Sequence, residues 1–275
     1  MSKIKEKEEA VSLTLPQHEC RSCGYEYEGN FCSRCGQRHI ENRFTLKQST
    51  FWVFDQIFNL EKGIFYTTKE LFLRPGKVIH EYLSLATVRY MHPFRYVFVL
   101  ATLSALFTLI SIKFSDPGEV LNIFDGIDQG EDVDPKKLEF IEKWMEGIKR
   151  YLAFIIMLSI PLNAFASSII YRKRKFNFTE HMILNAYGYG LTLALSYPFF
   201  LLVPLPNGIY LNGYAASIVY FVFLGWVFSR VFKESIIEGI LKVILISILA
   251  IIFGIIISVI IGIPAVLLYI KLTKA

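Results

Sequence analysis

The sequence predicts an all-α polytopic membrane protein with a small cysteine-bearing module near its N-terminal end. Three observations carry this. The chain of 275 residues is 53% hydrophobic and only 19% charged, below the ~25% usual in soluble domains. Long apolar runs alternate with short polar loops after about residue 93. All four cysteines fall in one stretch, as Cys20-Arg-Ser-Cys23-Gly24 and Cys32-Ser-Arg-Cys35-Gly36. The 24 Phe and 15 Tyr suit lipid-facing and interfacial surfaces, where aromatic rings sit at headgroup level. The net charge of +5 does not point to nucleic acid. The basic residues gather beside apolar segments, where membrane orientation accounts for them.

Composition divides the chain into four parts. Residues 1–18 read as a disordered leader, charged and without the apolar core of a secretory signal. Residues 19–40 hold the cysteines, 41–93 are amphipathic and aromatic, and 94–275 form a transmembrane domain. About 20 apolar residues cross a ~30 Å hydrocarbon core. On that measure five spans are expected, at about 94–113, 151–171, 182–203, 209–229 and 240–270. The third and fourth carry Asn185 and Asn212. They read as a helical hairpin across the turn Pro204-Leu205-Pro206-Asn207-Gly208. The last run would be ~46 Å long, so it tilts, extends past the membrane, or breaks near Gly262 and Pro264.

Loop charge sets the orientation. Segment 172–181 has four basic residues against one acid, while 115–150 has ten acids against five basic residues. The first should face the cytoplasm and the second the outside, which leaves the N-terminus cytoplasmic. Within the outer loop, Pro135 is a suitable first helical residue, and Leu138, Ile141, Met145 and Ile148 recur at helical spacing. An amphipathic helix lying on the outer surface is expected there. The acidic stretch Asp125–Asp134 lacks the ordered spacing of a calcium loop and reads as solvated. Phe51, Phe54 and Phe58 share a helical face and suit an interfacial helix, and Arg74-Pro75-Gly76 interrupts the next one.

Two C-x2-C knuckles are a framework for one tetrahedral metal ion, with Cys20, Cys23, Cys32 and Cys35 as ligands. The expected ion is structural zinc. A module this short cannot build a core, so the metal must supply its folding energy. Disulfides are disfavoured in a cytoplasmic module, and a doubled knuckle favours a structural site over redox chemistry. Four thiolates fill the coordination shell, which leaves His18 and His39 as bystanders and no open position for hydrolysis.

Elsewhere the polar residues have plain readings beside the functional ones. His80, Glu81, Arg89, His92 and Arg95 cluster before and at the first span, as a site for lipid headgroups or an anion, or as ordinary interfacial anchors. Asn163, Asn185 and Asn212, with Ser159, Ser167 and Ser168, read as helix-to-helix hydrogen-bonding groups before a substrate path. No Asp or Glu lies deep in a span, which argues against a proton-coupled transporter. No phosphate loop, H-E-x-x-H or G-x-S-x-G occurs.

The ordered set Cys20-x2-Cys23-Gly24, Phe31-Cys32-x2-Cys35-Gly36-Gln37, Arg74-Pro75-Gly76, Tyr82, Arg89 and Pro93 resembles the bacterial domain-of-unknown-function family 3667 over about residues 20–110. That resemblance implies an N-terminal zinc ribbon on a multipass region in a bacterial cytoplasmic (inner) membrane, and it implies no catalytic residue. The leading expectation is a noncatalytic membrane-anchored adaptor or regulator whose partners are the lipid bilayer and a cytoplasmic or membrane protein. A transporter or channel component comes second. Third is an enzyme acting on lipid through His80, Glu81, Arg89 and His92.

Overall fold

The structure is a computed structural model that describes residues 17–39, 63–114 and 135–273. The leader, the helix expected around Phe51–Phe58 and the acidic stretch before Pro135 lie outside the described residues. The cysteine module is a two-stranded antiparallel ribbon. Strand β1 (Gln17–Glu19) pairs with β2 (Glu26–Glu28), with His18 opposite Tyr27. Its small core is Cys20, Tyr27 and Cys32.

The amphipathic region ends in two short helices, α1 (Ile64–Leu73) and α2 (Pro75–Leu83). Arg74 separates them at φ −152°, and Pro75 opens α2 at a position where its missing N–H costs nothing. The helices are more deeply built in than an interfacial position implies. Thr67, Glu70 and Leu71 of α1 and Val78, Ile79 and Tyr82 of α2 are buried. Gly76 explains the Arg-Pro-Gly sequence: a Cβ there would sit 2.7 Å from the Arg230 carbonyl oxygen. The missing side chain lets α2 lie directly on the backbone of a later helix.

The body is an all-helical bundle of α3 (Pro93–Phe114), α4 (Pro135–Ile170), α5 (Phe178–Ser196), α6 (Gly208–Phe232) and α7 (Ile236–Thr273). Among the described residues, α3, α4, α6 and α7 contain the four stretches long and apolar enough to cross a membrane. Exposed Leu106, Phe154, Leu158, Ile218, Ile251 and Ile255 give them an apolar outer surface, as expected of a polytopic membrane protein.

The run 182–203 is α5 followed by the 3₁₀ segment Tyr197–Leu202, and it falls short of the other four in apolarity, not in length. The reason is its place in the bundle. Helix α5 packs against α3, α4 and α6, and also meets α1 and α2. Enclosed by protein, it keeps Thr179, Glu180, His181 and Asn185 buried on its length. Asn177 starts it with a capping box, its side chain accepting from the Glu180 N–H while Glu180 accepts from the Asn177 N–H.

Two points concern continuity. The helix expected over 135–150 is continuous with the following span as α4, which passes through Pro161. Helix α7 runs unbroken through Gly262 and Pro264, so of the three expected resolutions of its length the break is the one it does not take.

One end of the bundle gathers the ribbon-side elements. Tyr82 of α2 meets His92 before α3, and His80 meets Phe176 before α5. Tyr171 after α4 stacks on Phe232 of α6 at 3.9 Å and donates to Glu234 before α7. The basic residues 172–175, Arg230 and Lys233 therefore share an end with α1 and α2.

Gly76→Val should drive α2 off α6 and destabilise the bundle by about 1–3 kcal/mol. Lys77→Ala removes only a 3.7 Å surface ion pair with Glu81 and should cost under ~1 kcal/mol. Thermal unfolding of both variants in detergent checks the contrast.

Candidate metal centre and its seat on the bundle

The two knuckles repeat one hydrogen-bond pattern. Cys20 N–H donates to Tyr25 O at 2.9 Å and Gly24 N–H to Cys20 O at 2.7 Å. Cys32 N–H donates to Gln37 O and Gly36 N–H to Cys32 O, both at 2.8 Å. Each turn needs a left-handed residue, supplied by Gly24 at φ +71° and Gly36 at φ +72°. The four sulfurs thereby converge within 4.8 Å of one another, and among the described residues no other His, Cys, Asp or Glu joins the group.

The sulfur spacing fits a metal and not a disulfide. Cys20 Sγ lies 3.4 Å from Cys35 Sγ, and Cys23 Sγ 3.7 Å from Cys32 Sγ. A disulfide needs ~2.05 Å. Tetrahedral thiolates at ~2.3 Å from a central ion stand ~3.8 Å apart. Backbone N–H groups of Arg34 and Cys35 point at the Cys32 sulfur, that of Tyr25 at Cys23, and that of Gln37 at Cys35. Burial pushes the Cys32 thiol up, but those amides outweigh it and hold the thiol at about 7. Burial pushes Cys35 up to about 12, so full coordination requires the ion itself to displace protons. The cluster can therefore hold a metal ion with all four thiolates. His18 and His39 stay outside it, stacked on each other at 3.7 Å, with His39 Nδ1 3.1 Å from the Tyr27 hydroxyl.

Gln37 fixes this module to the helical body. Its backbone closes the second knuckle, while its buried side chain reaches 48 to 51 residues along the chain. Nε2 donates to Leu85 O at 3.0 Å. Oε1 accepts from the Thr87 and Val88 N–H groups, both at 3.2 Å, and from Ser22 Oγ of the first knuckle at 2.9 Å. The receiving loop is the C-terminal cap of α2. Ala86 N–H bonds to Glu81 O and Leu85 N–H to Tyr82 O, with Leu85 left-handed at φ +74°. Glycine usually fills that position. Leucine there carries a strain of roughly 1–2 kcal/mol, offset by burial of its side chain.

The five residues singled out near the first span have different immediate partners. His80 is exposed, with Nε2 3.0 Å from Val231 O. Glu81 accepts from the Tyr90 hydroxyl at 2.7 Å and lies 3.5 Å from Arg89. His92 is buried against the rings of Tyr82 and Phe94. Arg95 is also buried, and its Nε has no hydrogen-bond partner. Burial, and secondarily the Arg95 charge, lowers His92 to about 4, so its imidazole is neutral at physiological pH.

A polar network that the spacing alone did not join links α4 to α5. Ser167 Oγ lies 3.0 Å from His181 Nδ1, and Asn185 Nδ2 donates to Ser167 Oγ at 3.0 Å and to His181 O at 2.8 Å. All three side chains are wholly enclosed, so substrate has no route to this serine and histidine. Asn163 donates to Ser159 O within its own helix.

Residues 61–105 match the family model described as Protein of unknown function (DUF3667). The family that the residues resemble is thus the family whose model this segment matches. The match covers α1, α2, the Gln37-binding loop and the first half of α3, including Arg74-Pro75-Gly76, Tyr82, Arg89 and Pro93. No curated protein and no solved structure matches the chain.

Gln37→Leu should leave the metal content unchanged while depriving the Thr87 and Val88 amides of their acceptor, at a cost of about 1–3 kcal/mol. Hydrogen exchange at those amides should accelerate. Protonation of His92 gives a pH dependence. Unfolded, it takes a proton near 6.5; folded, only near 4. Its contribution to stability is therefore complete above pH 6.5 and falls as pH drops toward 4, by on the order of 3 kcal/mol. A thermal-midpoint profile should show this loss, and His92→Phe should flatten it.

Proposed function

We propose that the chain is a noncatalytic regulator or adaptor of the bacterial cytoplasmic membrane, built around a structural zinc ribbon on the cytoplasmic side. The observation that carries this reading is the Gln37 clasp, which holds a closed four-thiolate module rigidly on the juxtamembrane helices. A site with no open coordination position suits scaffolding and not hydrolysis. Zinc is favoured because an all-sulfur tetrahedral set is the donor chemistry it prefers in structural sites. The ribbon also presents Phe31, 60% exposed, and Tyr25, 45% exposed, as an aromatic face for a protein partner.

The cytoplasmic assignment rests on the basic residues 172–175, Arg230 and Lys233, which share the ribbon's end of the bundle. A second reading, as a transporter or channel component, draws on Asn212, which lines an open cavity between the helices. The lipid-enzyme reading loses ground because Glu81 and Arg89 pair on the surface while His92 is buried.

The test is a photocrosslinker at Phe31 in cells, read beside the metal content of the purified protein. About one zinc per chain and a discrete crosslinked protein, both lost in Cys32→Ser/Cys35→Ser while membrane insertion persists, are expected. Solute flux in vesicles abolished by Asn212→Leu, with no crosslink at Phe31, would replace this reading with the transporter.

A further inference from the structure

The half of the bundle away from the ribbon holds an open cavity of ≈ 660 Å³ between α3, α4, α5, α6 and α7. This falls inside the ~300–1,000 Å³ of small-molecule sites. No charged side chain lines it. Its apolar wall includes Ile156, Leu162, Phe200, Phe221 and Ile251. Set into that wall is a group of hydroxyls with a shared property. Ser159, Thr192, Ser196, Ser217 and Ser247 each donate their proton to a backbone carbonyl of their own helix, at 2.7–2.9 Å. Their protons are therefore spent on the helix, which leaves them acceptor lone pairs. The Tyr220 hydroxyl already lies 3.2 Å from Ser247 Oγ, and Tyr189 bonds to Ser159, so the open acceptors are those of Thr192, Ser196 and Ser217. Asn163 donates one amide N–H to Ser159 O.

We infer that this cavity binds an uncharged amphiphile that bears hydrogen-bond donors, such as a single-chain lipid with a hydroxylated head. Donor hydroxyls on the ligand would meet the serine and threonine oxygens while its chain lies along the apolar wall. An anion finds no cation in the wall, and a cation no carboxylate. Either would lose its hydration without a counter-charge. The inference does not depend on the adaptor reading, because the ribbon contributes nothing to the cavity.

The experiment is equilibrium binding of radiolabelled 1-monooleoylglycerol to the full chain in phosphatidylcholine nanodiscs, with empty nanodiscs as background. Saturable binding near one molecule per chain is expected. Unlabelled lysophosphatidic acid of the same chain length should fail to compete, and free glycerol should compete only if the head alone is recognised. Gly254→Leu fills the cavity from α7. A Cβ at Gly254 meets only Leu162 Cδ1, at 3.8 Å, so the variant should fold, and it should abolish binding. Ala216→Phe fills it from α6 and should do the same. Thr192→Val/Ser196→Ala should weaken binding by roughly tenfold through loss of acceptors. Binding no greater than in empty nanodiscs, binding retained in both filled variants at unchanged thermal midpoint, or equal competition by lysophosphatidic acid would each overturn the inference.

Discussion

A polar group inside a bilayer has no water to turn to, and the placement of α5 answers that constraint. The helix carries a glutamate, a histidine, an asparagine and several hydroxyls. Each must find a partner within the protein. Several do: Glu180 pairs with Asn177 in its own cap, His181 and the Asn185 amide N–H meet Ser167 of α4, and the Tyr187 hydroxyl donates to the Met91 carbonyl at 2.6 Å, while Asn185 Oδ1 has no partner among the described residues. Around this axis Tyr82, Tyr187 and Tyr96 pack ring against ring, joining α2 and α3 to the same centre. The four longer apolar helices then have a polar post to surround and a hydrocarbon face to turn outward.

What the sequence made legible follows from range. The convergence of the four cysteines was readable because two local turns fix them, with spacing and glycines inside a few residues of each sulfur. Apolar runs were readable because length and hydropathy are local sums. Helix α5 was read as one more span, since composition does not say whether a moderately apolar helix faces lipid or protein. Gln37 stood in the quoted motif, but its partners lie 48 to 51 residues away, and nothing near it in the chain announces them. The Ser167, His181 and Asn185 contact was hidden for the same reason. A serine at the end of one helix and a histidine at the start of the next meet only because the turn between them is tight. In the His80 to Arg95 group, neighbours in sequence take different partners: His80 the Val231 carbonyl, Glu81 the Tyr90 hydroxyl, and His92 the Tyr82 ring.

The bundle is built differently at its two ends. At the ribbon end, aromatic rings and buried helices fill the space between the long helices. Toward the other end the packing opens into a hydroxyl-studded cavity. Rigidity at one end and free volume at the other within a single bundle is the arrangement expected where one part holds shape and another accommodates a guest.

The distance spanned by Gln37 has a consequence for biosynthesis. The cysteine module leaves the ribosome some 50 residues before the loop that receives it. At ~5–20 residues per second, that is a delay of about 3–10 s. During this interval the module has no helical body to lean on, and a metal ion bound by its thiolates would be what holds it folded. A module loaded early would meet its seat ready-made; one loaded late would have to fold against a helical body already in place.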